Sequence, residues 1–249
     1  MITFSFCIRI ARLVARIVAM YPSTCDCCGD FLCDGTPDFS ITITPEDIAF
    51  ERLKAAREDE LEGLPMRQLS DELLEITALQ RKVTECLFDY DTLLFHGSVV
   101  AVDGEGYLFT AKSGTGKSTH TRLWREVFGE RAVMVNDDKP FLRIDENGVT
   151  AYGSPWMGKH GLGANISVPL KGICILERGE TNRISPITAA QALPMLFQQS
   201  QRPREARNLP KYMELVDKLA SGTKFYRMQC NMDPEAAKVS YEAMSERLI

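Results

Sequence analysis

The chain has 249 residues, of which 45% are hydrophobic and 25% charged, enough for one large core or one core plus an appendage. Its formal net charge of −5, with basic residues scattered and no basic stripe with interleaved aromatics, gives no electrostatic case for nucleic acid. No run is apolar over the length of a membrane-spanning helix, so no membrane partner is expected either.

Residues 1–20 (MITFSFCIRIARLVARIVAM) are apolar but interrupted by Arg9, Arg12 and Arg16. A secretory signal puts basic residues first and an unbroken apolar core after them. This segment does neither, and a cytoplasmic location is expected. An amphipathic membrane helix is one reading. The alternation of Phe4, Phe6, Ile8 and Ile10 with polar or small residues favours a pair of strands. Cys25, Cys27, Cys28 and Cys33 follow as C-x-C-C-x4-C. Structural zinc sites pair two separated C-x-x-C knuckles, and adjacent Cys27 and Cys28 do not easily reach one tetrahedral ion, so metal is disfavoured there without being settled. Cys7, Cys86, Cys174 and Cys230 sit singly among apolar neighbours, as small core residues do.

The stretch from Asp38 to Thr44 alternates like a strand. Thr44 then caps a helix with Pro45 at its first position, running to about Glu60 before Gly63-Leu64-Pro65 breaks it. From Ser70 to about Asp89, Leu73, Leu74, Ile76, Leu79, Val83 and Leu87 recur at helical spacing. These signals divide the chain into a small α+β accessory subdomain, residues 1–66, and a catalytic domain, residues 67–249. Next, Leu93 to Ser98 leads into Val99-Val100-Ala101-Val102, a Gly104-Glu105-Gly106 turn and Tyr107-Leu108-Phe109-Thr110, which reads as a hairpin.

That hairpin delivers the chain to Ala111-Lys112-Ser113-Gly114-Thr115-Gly116-Lys117-Ser118-Thr119, followed by a helical pattern through Leu123, Trp124 and Phe128. Strand, glycine-rich turn and helix is the context of a phosphate-binding loop. Backbone N–H groups of residues 113–119 would approach phosphate oxygens, aided by the helix dipole. Lys117 would reach the β- and γ-phosphates and the Ser118 hydroxyl would ligate Mg²⁺. The first glycine of the usual pattern is here Ala111. The apolar run Ala132-Val133-Met134-Val135 then ends in Asn136-Asp137-Asp138-Lys139. One carboxylate would hold the metal and the other would take a proton from an attacking hydroxyl. Adjacent carboxylates repel unless a cation balances them.

Downstream, strands at Phe141–Ile144 and Val149–Tyr152 flank a turn. Residues 153–163 (GSPWMGKHGLG) form the best substrate-loop candidate, with Lys159 stabilising transferred phosphoryl charge or an acidic acceptor. A strand at Leu170–Leu176 follows. Helices are expected from Thr188 to about Gln199, over Leu209–Leu219, and from Pro234 to near Leu248, with a strand at Lys224–Met228. Between the first two helices, Arg202 is a candidate for cationic assistance at the γ-phosphate.

The order His96-Gly97-Ser98, hairpin, Ser113 to Ser118, then Asp137-Asp138 resembles the kinase domain of HPr kinase/phosphorylase and, more distantly, ATP-dependent phosphoenolpyruvate carboxykinase. The resemblance runs from about Leu93 to the C-terminus. It implies an α/β fold with a mixed sheet, Mg²⁺ and ATP as cofactors, and transfer of the γ-phosphate to a hydroxyl acceptor, a serine in a protein or in a small molecule. It also implies Asp137 as proton acceptor and Asp138 at the metal, with His96 near the substrate or a second metal. The chain departs from that pattern at Asn136, where the families usually carry a small residue, and it lacks the carboxykinase N-terminal domain and substrate arginines. A nucleotide-gated adaptor and a simple ATPase stay open as alternatives, as does a homo-oligomer.

Overall fold

The N-terminal alternation folds as strands. In the computed structural model, which describes residues 3–246, β1 (Phe4–Ile10) and β2 (Leu13–Ala19) pair antiparallel across a turn in which Ala11 and Arg12 take the left-handed conformation. A short helix α1 (Pro22–Asp26) follows, and β3 (Phe39–Thr42) lies parallel to β2. Helix α2 (Pro45–Glu62) starts on a capping box between Thr44 and Asp47 and stops at Gly63, whose left-handed φ of 66° glycine adopts at least cost. Among the described residues, no group of three His, Cys, Asp or Glu side chains is arranged to hold a metal ion.

Helix α3 (Asp71–Leu87) carries the apolar stripe expected of it. The chain divides into two compact units after Cys86, beyond the boundary expected near residue 66. Two buried charged groups account for the shift. The carboxylate of Glu75 accepts hydrogen bonds from the N–H groups of Met20 and Tyr21 at 2.6 and 3.0 Å and from the Thr24 hydroxyl at 2.5 Å. Arg81 pairs with Glu51 at 2.5 Å and Asp47 at 3.0 Å on α2. These bonds tie α3 to the first unit, which a break in helical pattern at Gly63 does not reveal.

The second unit is a mixed α/β structure around one nine-stranded sheet. Its strands and helices in chain order are β4 (Thr92–Leu94), β5 (Ser98–Val102), β6 (Glu105–Thr110), α4 (Lys117–Phe128), β7 (Ala132–Asn136), β8 (Phe141–Asp145), β9 (Gly148–Tyr152), β10 (Ser167–Arg178), β11 (Arg183–Ile187), α5 (Ala189–Gln199), α6 (Leu209–Gly222), β12 (Phe225–Cys230) and α7 (Glu235–Ser245). The end expected for the last helix, near Leu248, lies outside the described residues.

The long strand β10 joins the sheet. Its first residues pair antiparallel with β9, and its later residues run parallel to β6 on one side and β12 on the other. Alternation along the central strands feeds two cores. Leu108, Ile173 and Ile175 face one in which Leu196, Tyr212, Leu215 and Val216 of α5 and α6 are buried. Tyr107, Phe109 and Cys174 face another with Trp124 and Phe128 of α4 and Tyr241 of α7. The sheet is thus covered on both faces, as a sheet with parallel central strands must be.

Candidate functional site

Strand direction gathers the candidate residues. Strands β6, β10 and β12 are parallel, and β7 runs the same way because it is antiparallel to β5, which is antiparallel to β6. The segments leaving these four strands therefore emerge on one edge: the 111–116 turn, Asp137-Asp138, Arg178-Gly179 and Cys230 to Met232. The crevice at the carboxyl ends of parallel strands is where such sheets bind ligands. His96 reaches the same edge from the opposite direction, because it precedes β5, whose first residue Ser98 pairs with Phe109.

The 111–116 turn closes on a Thr115 N–H to Lys112 carbonyl bond of 3.2 Å, with Gly114 at φ 75° and Gly116 at φ 120°. Ala111 is fully buried in the core, with no left-handed φ, so the position needs no glycine. Lys117 opens α4. Burial pushes its ammonium below its ordinary pKa, against the opposing pull of Asp138 and Asp137.

Asp137 is 6% exposed, and its Oδ1 accepts a 2.7 Å hydrogen bond from Ser98 Oγ. Ser98 has one proton to give, so Thr121 on α4 donates to it in turn across 3.0 Å. Asp138 is more open, 3.3 Å from Nε2 of His96. Burial raises its pKa, but the His96 hydrogen bond and the charges of Lys139 and Lys117 outweigh that and hold the carboxyl below its usual range. Asn136 shapes the turn that presents the pair. Its Oδ1 accepts from the N–H groups of Asp138 at 2.8 Å and Lys139 at 2.6 Å, while its Nδ2 donates to Ser154. A smaller residue there would leave those two N–H groups to other partners.

The glycine-rich loop is folded over this turn. Asp137 N–H bonds the Leu162 carbonyl at 3.0 Å, and a side chain on Gly153 would put its Cβ 1.9 Å from the Ala164 carbonyl oxygen. At Gly158 the φ is 71° and a Cβ would lie 3.0 Å from Cβ of Asp138. The result is a cavity of about 400 Å³ lined by His96, Ser113, Gly114, Gly116, Lys117, Ser118, Thr119, Asp137, Asp138 and Lys159, together with Gly158 and His160. Thr115 lines an adjoining cavity instead. Arg202 stands exposed on the loop after α5 and does not line either.

Several residues at this edge carry no signal of their own in the sequence. Arg178, at the end of β10, donates to the Gly114 carbonyl at 2.6 Å across a separation of 64 residues. Gln199 reaches the Ala111 carbonyl at 3.4 Å, and His160 joins Lys159 in the cavity wall. Only His160 lay in a segment already singled out by its glycines.

Comparison with known proteins gives one family and a distant structure. No curated protein matches the chain. Among solved structures, the Hpr(Ser) kinase/phosphatase from Coxiella burnetii is similar over 61% of this chain and 97% of that one, at 12% identity and a TM-score of 0.36. That score is too low to bear on fold or activity. A family model described as SynChlorMet cassette protein ScmC matches residues 64–235, all of α3 and the second unit as far as the start of α7, and the chain therefore belongs to the ScmC family.

Proposed function

We propose that the chain is a Mg²⁺- and ATP-dependent phosphotransferase that moves the γ-phosphate to a hydroxyl acceptor, a serine in a protein or a small molecule. The observation that carries this reading is a single cavity in which a half-buried Lys117, the Asp137-Asp138 pair, His96 and Lys159 converge beside a glycine turn at a helix N-terminus. In this reading the backbone of residues 113–119 and Lys117 hold the triphosphate. The Ser118 hydroxyl and the Asp138 carboxylate are hard oxygen donors of the kind Mg²⁺ takes, and the bound ion would neutralise charge on the phosphate oxygens.

Asp137 is the general base. Held by Ser98 and shielded from water, it takes the proton of the acceptor hydroxyl as that oxygen bonds to the γ-phosphorus and ADP leaves. His96 orients Asp138, and Lys159 answers the charge on the transferring group. Phosphoryl transfer asks mainly for positioning and charge neutralisation, so this set suffices.

The test follows labelled γ-phosphate from Mg-ATP into the protein and small-molecule fractions of a cell extract, with Lys117→Ala as control. Label entering one fraction only with the unaltered chain supports the proposal and names the acceptor class. Label released solely as free phosphate makes the chain an ATPase. Nucleotide binding with no phosphate moved makes it a nucleotide-gated adaptor.

A further inference from the structure

A second cavity, of about 540 Å³, adjoins the first and shares Gly114, Gly116 and Thr119 with it, so the 111–119 turn is their common wall. The first cavity is closed by the ends of β7 and the glycine-rich loop. The second is closed by the ends of β10 and β12. Leu176, Gly179 and Cys230 give it an apolar or bare surface, and Met232, 76% exposed, forms its rim. Arg178 is fixed at its mouth by the Gly114 carbonyl. The volume is that of a small-molecule site.

His120 also lines this cavity, although it is only 2% exposed. Its Nε2 is taken by two neighbours, Ser240 Oγ at 3.1 Å and Trp124 Nε1–H at 3.3 Å. Nδ1 has no partner. A buried ring nitrogen without a partner is costly, and a site that keeps one is built for a partner to arrive.

We propose that this cavity takes the nucleoside end of the nucleotide whose phosphates lie on the shared turn, with a ribose hydroxyl of the ligand, which can both donate and accept, pairing with His120 Nδ1. The flat base lies on the apolar wall and under Met232, and the planar guanidinium of Arg178 covers its open face. A molecule crossing the common wall must have phosphate at one end and a ring body with a hydrogen-bonding group at the other. The inference rests on the phosphotransferase reading, and its test separates the two.

The test is calorimetric titration of the full chain with Mg-ADP and with Mg-pyrophosphate, which has the phosphates and no nucleoside. The expected result is binding of Mg-ADP about tenfold or more tighter than Mg-pyrophosphate. That advantage should shrink in Met232→Asp, which puts a carboxylate on the rim, and in His120→Phe, which removes the unpartnered ring nitrogen. His120 is a core residue, so Met232→Asp, a surface change, keeps the question open to measurement if the other variant fails to fold. Equal affinity for the two ligands overturns the proposal and leaves the phosphate-loop reading standing, as does an advantage that survives Met232→Asp intact. Failure of both ligands to bind, or indifference of both to Lys117→Ala, overturns the phosphate-loop reading and this proposal with it.

Discussion

Asp137 and Ser98 illustrate how much of the proposed chemistry rests on one hydrogen bond. Asp137→Asn keeps the shape of the site and removes the base, so nucleotide binding should persist while turnover falls by about 10²- to 10⁴-fold. Ser98→Ala leaves the carboxylate in place but frees it to rotate, while Thr121 keeps the Lys117 and Ser118 carbonyls as acceptors. Its effect should fall on kcat, with KM for ATP unchanged, and be smaller than that of Asp137→Asn. Steady-state kinetics on both variants decides the order; a larger loss in Ser98→Ala would show that Asp137 is not the base. At this scale the sequence announces residues with a motif and is silent on those that hold them. Ser98 stands inside a motif, but its bond to Asp137 spans 39 residues, and Arg178 meets Gly114 only because β10 and β6 are neighbours. Arg202 shows the converse, an arginine whose position between helices suggested the cavity and whose side chain is exposed away from its lining.

Among the elements, those with strong local signals are where periodicity puts them. Helix α2 has its capping box and glycine stop, the β5–β6 hairpin has its left-handed turn at Asp103 and Gly104, and α4 has its apolar stripe. Strand β11 gave no such signal, because it pairs only with β12 at the sheet edge, is largely solvated and contains Pro186, which an edge tolerates and an interior strand does not. The assignment of α3 depends on charge rather than on pattern, and it makes a stability prediction. Burial raises the Asp47 carboxyl, but hydrogen bonds from Lys82, Arg81 and the Thr44 N–H outweigh it and set its pKa below the ordinary value. A depressed carboxyl stabilises the fold above its unfolded pKa of about 3.9 and loses that contribution as pH falls through the folded value. The gap in urea midpoint between the unaltered chain and Asp47→Asn should therefore be full near neutrality and close as pH drops below about 4. Arg81→Ala leaves the buried Glu51 carboxylate without that guanidinium and should cost about 3–5 kcal/mol, read from the same unfolding curves.

For the whole molecule, two boundaries coexist and mean different things. The family model begins at residue 64 and takes in α3, whereas compactness divides the chain after Cys86. A shared sequence marks what the family keeps, and compactness marks what packs together, so α3 belongs to the family's segment while its buried charges answer groups nearer the N-terminus. Both cavities, by contrast, lie wholly within the second unit. A ligand that binds only the folded state adds RT ln(1 + [L]/Kd) to the stability of what it binds, about 2.7 kcal/mol at a hundred times Kd. Amide hydrogen exchange reads that increment segment by segment. Saturating Mg-ADP should slow exchange in β6, β7, β10 and β12 by the corresponding factor of about 10² and leave β1, β2 and α2 unchanged. Arg81→Ala should do the reverse, speeding exchange in α2 and α3, which lose their ion pairs, and sparing the strands at the cavities. Equal protection of both units by Mg-ADP would show instead that they open as one cooperative block.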